Sequence, residues 1–194
     1  MAGENPTEKC GRGVLGRKPL RNFEKGGILF AETENMVVHN IEPLYNENSK
    51  ILILGSFPSV KSREEEFFYA HPQNRFWKVV AAVFDEKVPR NIEEKKALIL
   101  SRNLAVYDVI YSCEITGSAD SSVKNVVPCD LKPIIDNSKI TKIFVNGRTA
   151  EKYYKKYQLK ATGIECVVLP STSPANASYS LERLISEWQK IKDE

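Results

Sequence analysis

The segment Lys50-Ile51-Leu52-Ile53-Leu54-Gly55 contains an uninterrupted apolar run, residues 51–54, between a charged residue and a glycine. An apolar run without alternation is typical of a strand that is buried on both faces, as in a parallel sheet. Three later segments have a similar character and predict further strands, at residues 104–110, 142–146 and 166–169. The sequence therefore predicts a sheet with four strands.

Apolar residues at helical spacing alternate with these strands along the chain. They predict helices at residues 76–84, 91–101, 149–157 and 180–190, and a short helix within residues 130–137. Strands that alternate with helices indicate an α/β fold with a parallel sheet and right-handed crossovers. In such folds the ligand crevice lies beyond the carboxyl ends of the strands. We therefore expect the polar loops that follow the strands to converge on one site.

The 194 residues suit one domain, with or without a short appendage, and the share of charged residues, 27%, is ordinary for a globular chain. Residues 1–35 differ from the rest, because they are rich in glycine and arginine and have no hydrophobic period. We expect them to form a flexible N-terminal extension, and residues 36–194 to form a single domain. The extension is either a tag remnant or a misplaced start, or a basic arm that touches nucleic acid. We favour the first interpretation.

Charge and hydropathy restrict the location and the partners of the protein. No apolar run approaches the ~18 residues that a membrane span needs, and the first residues lack the apolar segment of a signal peptide. We therefore expect a cytoplasmic protein with no membrane partner. The net charge of +3 permits binding to a polyanion but does not require it, because phosphate contacts depend on where Lys and Arg lie.

The cysteines and histidines argue against a bound metal. No C-x-x-C pair occurs among the four cysteines, and the chain has only two histidines. Zinc ribbons and thioredoxin-like sites need such close pairs, and the wide spacing of the cysteines also disfavours an iron–sulfur cluster. We therefore predict reduced thiols, no metal site and no cofactor.

The loop after the first predicted strand, Gly55-Ser-Phe-Pro-Ser59, begins with a glycine that permits a sharp turn. Small residues here leave room for a ligand against the backbone. The loop lacks both the G-x-G-x-x-G pattern and the Walker lysine, so it does not predict a nucleotide cofactor. By itself it is a weak signal.

The segment Phe67-Phe-Tyr-Ala-His-Pro-Gln-Asn-Arg-Phe-Trp77 is much denser in chemistry. Aromatic side chains can stack on a base, and an asparagine can bond a base edge or orient a water. Phe76 and Trp77 stand at a predicted helix start and are better explained as core residues. For Tyr69, His71 and Asn74, which precede that helix in a polar loop, a functional role is the better explanation.

The segment Leu169-Pro-Ser-Thr-Ser-Pro-Ala-Asn176 follows the last predicted strand. Its serine and threonine side chains could grip a phosphate or could cap the next helix. Because two other polar loops are expected at the same edge of the sheet, we favour a phosphate-gripping role for this one.

Taken together, Gly55–Ser59, Tyr69–Trp77 and Leu169–Ala175 resemble the motifs of the uracil-DNA glycosylase superfamily, and in particular its hypoxanthine-DNA glycosylase branch. The resemblance runs in order and spacing from about residue 42 to the C-terminus, and it includes the polar loop at residues 117–122. It implies a three-layer sandwich in which helices flank a central, mainly parallel four-stranded sheet.

The resemblance also implies a monofunctional DNA glycosylase that takes part in base excision repair. Such an enzyme flips a deaminated base out of the stack and hydrolyses its N-glycosidic bond. The implied substrate is hypoxanthine, with uracil as a second candidate, in double- or single-stranded damaged DNA. We expect a monomer without a cofactor.

The resemblance assigns residue roles in the first two motifs. The substrate-binding loop is Gly55, Ser56, Phe57 and Pro58. Other branches carry an Asp or Asn at the position of Phe57 to place the attacking water. Without that group, the enzyme is left to position the water and to stabilise the departing base, and this duty is expected to pass to Asn74. His71 either stabilises the leaving base or supports its loop, and the two alternatives are evenly balanced.

Further roles follow from the same resemblance. Tyr69 takes the position of the aromatic that stacks on the flipped base, and Asp108 stands near the base-reading amide of the superfamily. As a carboxylate, Asp108 could accept a hydrogen bond from a purine N–H. The residues that clamp the DNA backbone are Ser171, Thr172 and Ser173, and Asn176 lies near the wedge that fills the vacated stack.

Two other functions stay open from the sequence. The first is a non-catalytic protein that binds damaged DNA, because Phe57 stands where a catalytic group is expected. The second is an enzyme that acts on free nucleosides, which a rim of Lys or Arg side chains around the site would disfavour.

Overall fold

The computed structural model describes residues 36–114 and 123–192. The predicted N-terminal extension and the polar loop at residues 117–122 lie outside the described residues. In chain order, the strands are β1 (Met36–Val38), β2 (Ile51–Gly55), β3 (Leu104–Asp108), β4 (Ile110–Glu114), β5 (Lys124–Pro128), β6 (Lys142–Asn146) and β7 (Cys166–Leu169). The helices are α1 (Val60–Glu64), α2 (Phe76–Val83), α3 (Ile92–Ser101), α4 (Lys132–Asp136), α5 (Arg148–Tyr157), α6 (Leu159–Thr162) and α7 (Leu181–Trp188).

The central sheet is parallel and has the strand order β3-β2-β6-β7. Its four strands coincide with the four that the apolar runs predict, and β6 and β7 have the predicted bounds. At the carboxyl edge, Gly55 pairs with Asp108 and Asn146 pairs with Leu169. The loops that follow the four strands therefore begin at one edge of the sheet.

Two separate cores lie on the two faces of this sheet, which makes the fold a three-layer sandwich. Ile51 and Ile53 of β2 belong to the core that contains α2, α3 and α7, whereas Leu52 and Leu54 belong to the core that contains α4 and α5. This division follows from the two-residue period of a strand. All five residues of β2 are buried, and the predicted fold class is confirmed.

Short polar side chains set where two of the helices begin. The Asn91 side chain accepts a hydrogen bond from the amide of Glu94 at 2.8 Å, and Ser180 caps α7 in the same way. Such caps satisfy amides that have no partner within the helix. After α7, the chain continues into a 3-10 turn at Gln189–Ile191. Within the described ranges no helix is both long enough and apolar enough to cross a membrane.

A second sheet, with strand order β1-β4-β5, is antiparallel and was not expected from the sequence. The predicted strand at residues 104–110 is in fact the strand β3 followed by the start of β4. The two are separate because the chain bends after Asp108, where the amides of Val109 and Ile110 donate to the carbonyls of Gly55 and Ser56. The bend places Asp108 at the end of β3, against the loop that follows β2.

Candidate active site

A cavity of about 270 Å³ lies at the carboxyl edge of the central sheet. It brings together most of the residues that the sequence singles out: all of the loop after β2, together with Tyr69, Asn74, Asp108, Ser171 and Ser173. The segment after β6 also contributes. The full lining is Gly55, Ser56, Phe57, Pro58, Ser59, Val60, Ser62, Arg63, Phe68, Tyr69, Asn74, Asp108, Ile110, Val123, Asn146, Gly147, Arg148, Thr149, Ser171 and Ser173.

Gly55 is at a position where a side chain cannot be accommodated. A Cβ atom there would overlap Oδ1 of Asp108 and would lie 3.2 Å from the hydroxyl of Tyr69. The absent side chain is therefore what lets the carboxyl group and the phenol approach the backbone of the first loop. The sequence suggests a glycine that permits a sharp turn, whereas Gly55 does not have a positive φ and is required instead by the close approach of these two side chains.

Gly55→Ala is expected to lower the free energy of unfolding by about 1–3 kcal/mol, because Asp108 must move to make room for a methyl group. Urea denaturation at pH 5 measures this effect. In an Asp108→Ala background the same change should cost much less, since the overlapping atom is gone and only the 3.2 Å approach to the Tyr69 hydroxyl remains. An equal loss in both backgrounds would contradict the packing described here.

Asp108 is a buried carboxyl group that faces the cavity. Its exposure is 4%, and burial raises its pKa from 3.8 to about 7. Within residues 36–114 and 123–192, no group donates a hydrogen bond to this carboxyl and no cation pairs with it. A buried acceptor without a partner is unfavourable unless a ligand supplies the missing donor.

Tyr69 adopts a strained backbone conformation beside this carboxyl group. Its φ of 51° lies in the left-handed region, and its ring stacks on that of Phe76 at a centroid distance of 3.9 Å. The hydroxyl is buried and has no well-formed hydrogen bond to a described residue. Burial, followed by the charge of Asp108, raises the pKa of the phenol, and Asn146 acts in the opposite direction. Strain of this kind is typical of functional sites.

Asn74 is held in one orientation by its hydrogen bonds. Its Oδ1 accepts from the amide of Phe76 at 3.0 Å and from the hydroxyl of Thr172 at 3.0 Å. The backbone amide is a donor only, so it fixes which side of the Asn74 amide carries the oxygen. Both lone pairs of Oδ1 are then used. No acceptor in the described part of the chain bonds to Nδ2, which is therefore the donor for a ligand in the cavity.

Thr172 and Asn146 extend this network behind Asn74. The Thr172 hydroxyl accepts from Nδ2 of Asn146 at 2.9 Å, and the Thr172 amide donates to Oδ1 of Asn146 at 3.0 Å. Thr172 is fully buried, so it supports Asn74 instead of facing the cavity. The network joins the segment before α2 to the ends of β6 and β7.

The other predicted residues of the last motif differ in where they lie. Ser171 and Ser173 line the cavity. Asn176 lies outside it, and its side chain is used within its own loop: Nδ2 donates to the carbonyl of Ser171 at 2.9 Å, and Oδ1 accepts from Ser178 at 3.1 Å. The side chain of Asn176 thus shapes the loop that carries the two serines.

His71 also lies outside the cavity lining. Its Nδ1 accepts a hydrogen bond from the amide of Gln73 at 3.2 Å, and its carbonyl accepts one from the amide of Asn74 at 2.8 Å. These bonds close the turn that presents Asn74. The geometry favours the second alternative for His71, support of the loop.

Asn146 and its two successors are functional candidates that sequence reasoning missed. Asn146 ends β6, and Gly147 and Arg148 begin the turn into α5. Arg148 lines the cavity, and its side chain is 84% exposed. A polar residue at the end of a predicted strand, followed by a glycine, was the available signal.

The chemical character of the cavity follows from these groups. It offers a buried acceptor at Asp108, an oriented donor at Asn74 and an aromatic ring at Tyr69. Its lining also includes two cations, Arg63 and Arg148, of which Arg148 is paired with Glu151 at 2.8 Å. These groups suit a flat, polar heterocycle carried on an anionic chain. Among the described residues no cluster of three or more His, Cys, Asp or Glu side chains could hold a metal ion.

Comparisons with known proteins agree on a single family. The family model of the uracil DNA glycosylase superfamily matches residues 42–192. A hypoxanthine DNA glycosylase of Methanosarcina acetivorans is 34% identical over 160 residues, which cover 80% of this chain and 98% of the relative. A second hypoxanthine DNA glycosylase, from Methanosarcina barkeri, is 31% identical over 150 residues, or 75% of this chain and 92% of the relative.

A solved structure has the same fold. The solution NMR structure of a candidate uracil DNA glycosylase from Methanosarcina acetivorans matches with a TM-score of 0.68 and 28% identity. The match covers 81% of this chain and 99% of that chain. The residues that line the cavity lie within the range that the family model matches.

Proposed function

The chain belongs to the uracil DNA glycosylase superfamily and is a DNA glycosylase, and from this premise we propose that it removes hypoxanthine from DNA. The observation that carries this proposal is the buried carboxyl group of Asp108 in the cavity, to which none of the described residues donates a hydrogen bond. Two relatives that carry the name hypoxanthine DNA glycosylase support the same choice of base.

Asp108 reads the base in this proposal. Hypoxanthine has an N–H at N1, whereas adenine has a lone pair there, so a carboxylate accepts a hydrogen bond from the first and repels the second. A site that leaves a buried polar group unpaired rejects the wrong ligand strongly. The N3–H of uracil could meet the same acceptor, and uracil is therefore the second candidate base.

Tyr69 receives the flipped base on its ring. The glycosidic bond is inaccessible while the base is stacked in the duplex, so the nucleotide must turn out into the cavity. One face of the Tyr69 ring packs on Phe76, which holds the ring rigid. A rigid aromatic surface gains stacking energy with little loss of side-chain entropy.

Asn74 acts on the departing base. In the reaction, the C1′–N9 bond breaks with its electron pair going to the base, and water adds to C1′ through an oxocarbenium-like transition state. The proton lost by water ends on the base, giving free hypoxanthine and an abasic site. The Nδ2 group of Asn74 donates a hydrogen bond to the negative charge that develops on the purine, as an oxyanion-hole donor does.

The remaining predicted residues hold the DNA or the loops. Ser171 and Ser173 donate to backbone phosphates near the lesion, and Arg148 adds a positive charge at the rim. Thr172 contributes to the clamp by fixing the loop from behind. Asn176 stabilises the part of the loop that enters the vacated stack.

The experiment that tests this function uses an end-labelled duplex with a single deoxyinosine, incubated with enzyme and then treated with alkali. We expect alkali to break the strand at the lesion, because base removal leaves an alkali-labile abasic site. Tight binding without breakage would favour the non-catalytic alternative. Release of base from free deoxyinosine at a similar rate would favour an enzyme that acts on nucleosides.

Tyr69→Ala is expected to slow single-turnover excision about 10- to 100-fold, since stacking contributes about 1–3 kcal/mol per base. Tyr69→Phe keeps the ring and loses only the hydroxyl, so it is the matched control and should stay close to the wild-type rate. The fluorescence of a 2-aminopurine beside the lesion reports flipping. Wild-type fluorescence and kinetics in Tyr69→Ala would rule out the stacking role.

A further inference from the structure

The guanidinium group of Arg75 is bonded to the backbone of a single loop, residues 170–179, which we call the 170–179 loop. Its Nε donates to the carbonyl of Thr172 at 3.4 Å, and Nη2 donates to those of Ser173 and Asn176 at 2.7 and 2.9 Å. Nη1 donates to the carbonyl of Tyr179. The backbone amide of Arg75 also donates to Thr172, at 3.1 Å.

Only an arginine can make this set of bonds. Four carbonyl groups spread over eight residues converge on one side chain, and the planar fork of a guanidinium presents donors in several directions at once. A lysine ammonium is a compact charge on a flexible stem and cannot reach all four. Among the described residues no carboxylate pairs with Arg75, so its positive charge is directed entirely to the loop.

The loop is fixed at its start by two further contacts. The indole of Trp188 in α7 donates to the carbonyl of Pro170 at 3.0 Å, and Asn146 holds Thr172. With these carbonyls turned inward, Ser171 and Ser173 remain at the cavity. The part of the loop from residue 174 to 178 is largely exposed.

Arg75 is also the immediate neighbour of Asn74, whose Oδ1 accepts the hydroxyl of Thr172. The two residues therefore bind the same loop from adjacent positions in the chain. A displacement of the loop that moves Thr172 also disturbs one of the two bonds that orient the Asn74 amide. The position of the 170–179 loop and the orientation of the Asn74 amide are therefore coupled through Thr172.

We propose that Arg75 is a positioning residue that couples the 170–179 loop to Asn74, so that gripping the DNA and orienting the catalytic amide depend on one side chain. This inference rests on the proposed glycosylase function. This positioning role differs from a purely local packing role, because loss of the guanidinium group should slow the chemical step as well as weaken DNA binding.

The test compares Arg75→Lys, which keeps the charge and loses the fork, with Arg183→Ala. Arg183 lies over the ring of Tyr179 at 4.2 Å and takes part in none of the carbonyl bonds, so this variant controls for a lost cation beside the loop. With enzyme saturating over a deoxyinosine duplex, we expect Arg75→Lys to excise about 100-fold more slowly, as for a misplaced catalytic group. Arg183→Ala should stay within about threefold.

A second readout separates positioning from general destabilisation. Arg75→Ala should regain part of its excision rate when millimolar methylguanidinium is added, with a saturable dependence on concentration, whereas Arg183→Ala should not respond. Wild-type-like excision by Arg75→Lys, or no rescue of a folded Arg75→Ala, would overturn the proposal. If the wild type itself excises no base, the proposed function fails instead.

If neither Arg75 variant folds, amide hydrogen exchange of the wild-type protein tests whether the 170–179 loop is held in place. The amides of Asn176 and Tyr179 bond within the loop, to the carbonyls of Ser173 and Asn176. A loop held by Arg75 should protect these amides well above the rate of an unstructured peptide. Exchange at the unstructured rate would overturn the proposal, because the loop would then not be held in place before DNA binds.

Discussion

Asn74→Asp is expected to lower the single-turnover rate of hypoxanthine release by about 100- to 1,000-fold, although the two side chains have nearly the same shape. Aspartate keeps an oxygen where Oδ1 accepts from Phe76 and Thr172. It replaces the Nδ2 donor with a second acceptor, which repels the developing charge on the purine. Asn74→Ala should lose a comparable factor, while its affinity for DNA changes far less.

The aspartate variant discriminates between two roles for this residue. If Asn74 acted by accepting a hydrogen bond from the attacking water, a carboxylate would do so at least as well, and the variant would retain its activity. Gln73→Glu is the matched control, because it adds the same negative charge at the neighbouring, exposed position. Gln73 bonds to His71 through its backbone amide, so the substitution leaves this bond in place. Activity of Asn74→Asp close to that of Gln73→Glu would contradict the donor role.

Asp108→Asn is expected to abolish the pH dependence of hypoxanthine excision and to lower the rate at pH 8 about 100-fold. Burial raises the Asp108 pKa to about 7. In the wild type, excision should therefore rise with pH through about 7 as the carboxylate that accepts the N1–H forms. In the variant, the rise of the excision rate with pH should be absent, and the preference for hypoxanthine over adenine should be smaller. A flat wild-type profile between pH 6 and pH 8 would contradict this role.

The same carboxyl group links stability to pH in the opposite direction. Its pKa is about 7 in the folded protein and 3.8 in the reference state, so the folded state binds more protons between these values and stability falls as pH rises. At about 1.4 kcal/mol per pKa unit, the loss is roughly 4 kcal/mol across this window. Because the loss begins at about pH 4, urea denaturation should find Asp108→Asn more stable than the wild type by roughly 2 kcal/mol at pH 5 and by roughly 4 kcal/mol at pH 8. The ionised carboxylate that accepts the hydrogen bond from the base is therefore also the form that lowers the free energy of unfolding.

Much of the fold is predictable because a parallel strand that is buried on both faces needs a continuous run of apolar residues, and such a run is visible in the sequence. Residues 51–54 and the middle of residues 142–146 are such runs, and the structure confirms a strand at each. Residues 166–169 also form a strand, but it lies at the edge of the sheet and Val167 is exposed, so its apolar run does not reflect burial on both faces. The second sheet left no comparable signal. Its strand β1 has three residues, and most of β5 is not buried, so neither has a hydrophobic period long enough to detect.

The sheet topology predicts that the polar loops lie close together, but it does not predict the hydrogen bonds within the site. Tyr69, Asn74, Asp108, Ser171 and Ser173 lie around one cavity, as expected of loops that begin at one edge of a parallel sheet. Their hydrogen bonds depend on partners far apart in the chain. The bond between Asn74 and Thr172, for instance, spans 98 positions, and no local pattern predicts which lone pairs it occupies.

The identity of the base that the protein releases from DNA decides whether it acts on hypoxanthine. Duplex and single-stranded oligonucleotides that carry hypoxanthine, uracil, xanthine, adenine or a thymine mismatch are incubated with enzyme in excess, and the free base is quantified by mass spectrometry. We expect hypoxanthine to be released fastest and adenine to stay in the strand. Intact hypoxanthine strands in the presence of bound, folded enzyme would contradict this expectation.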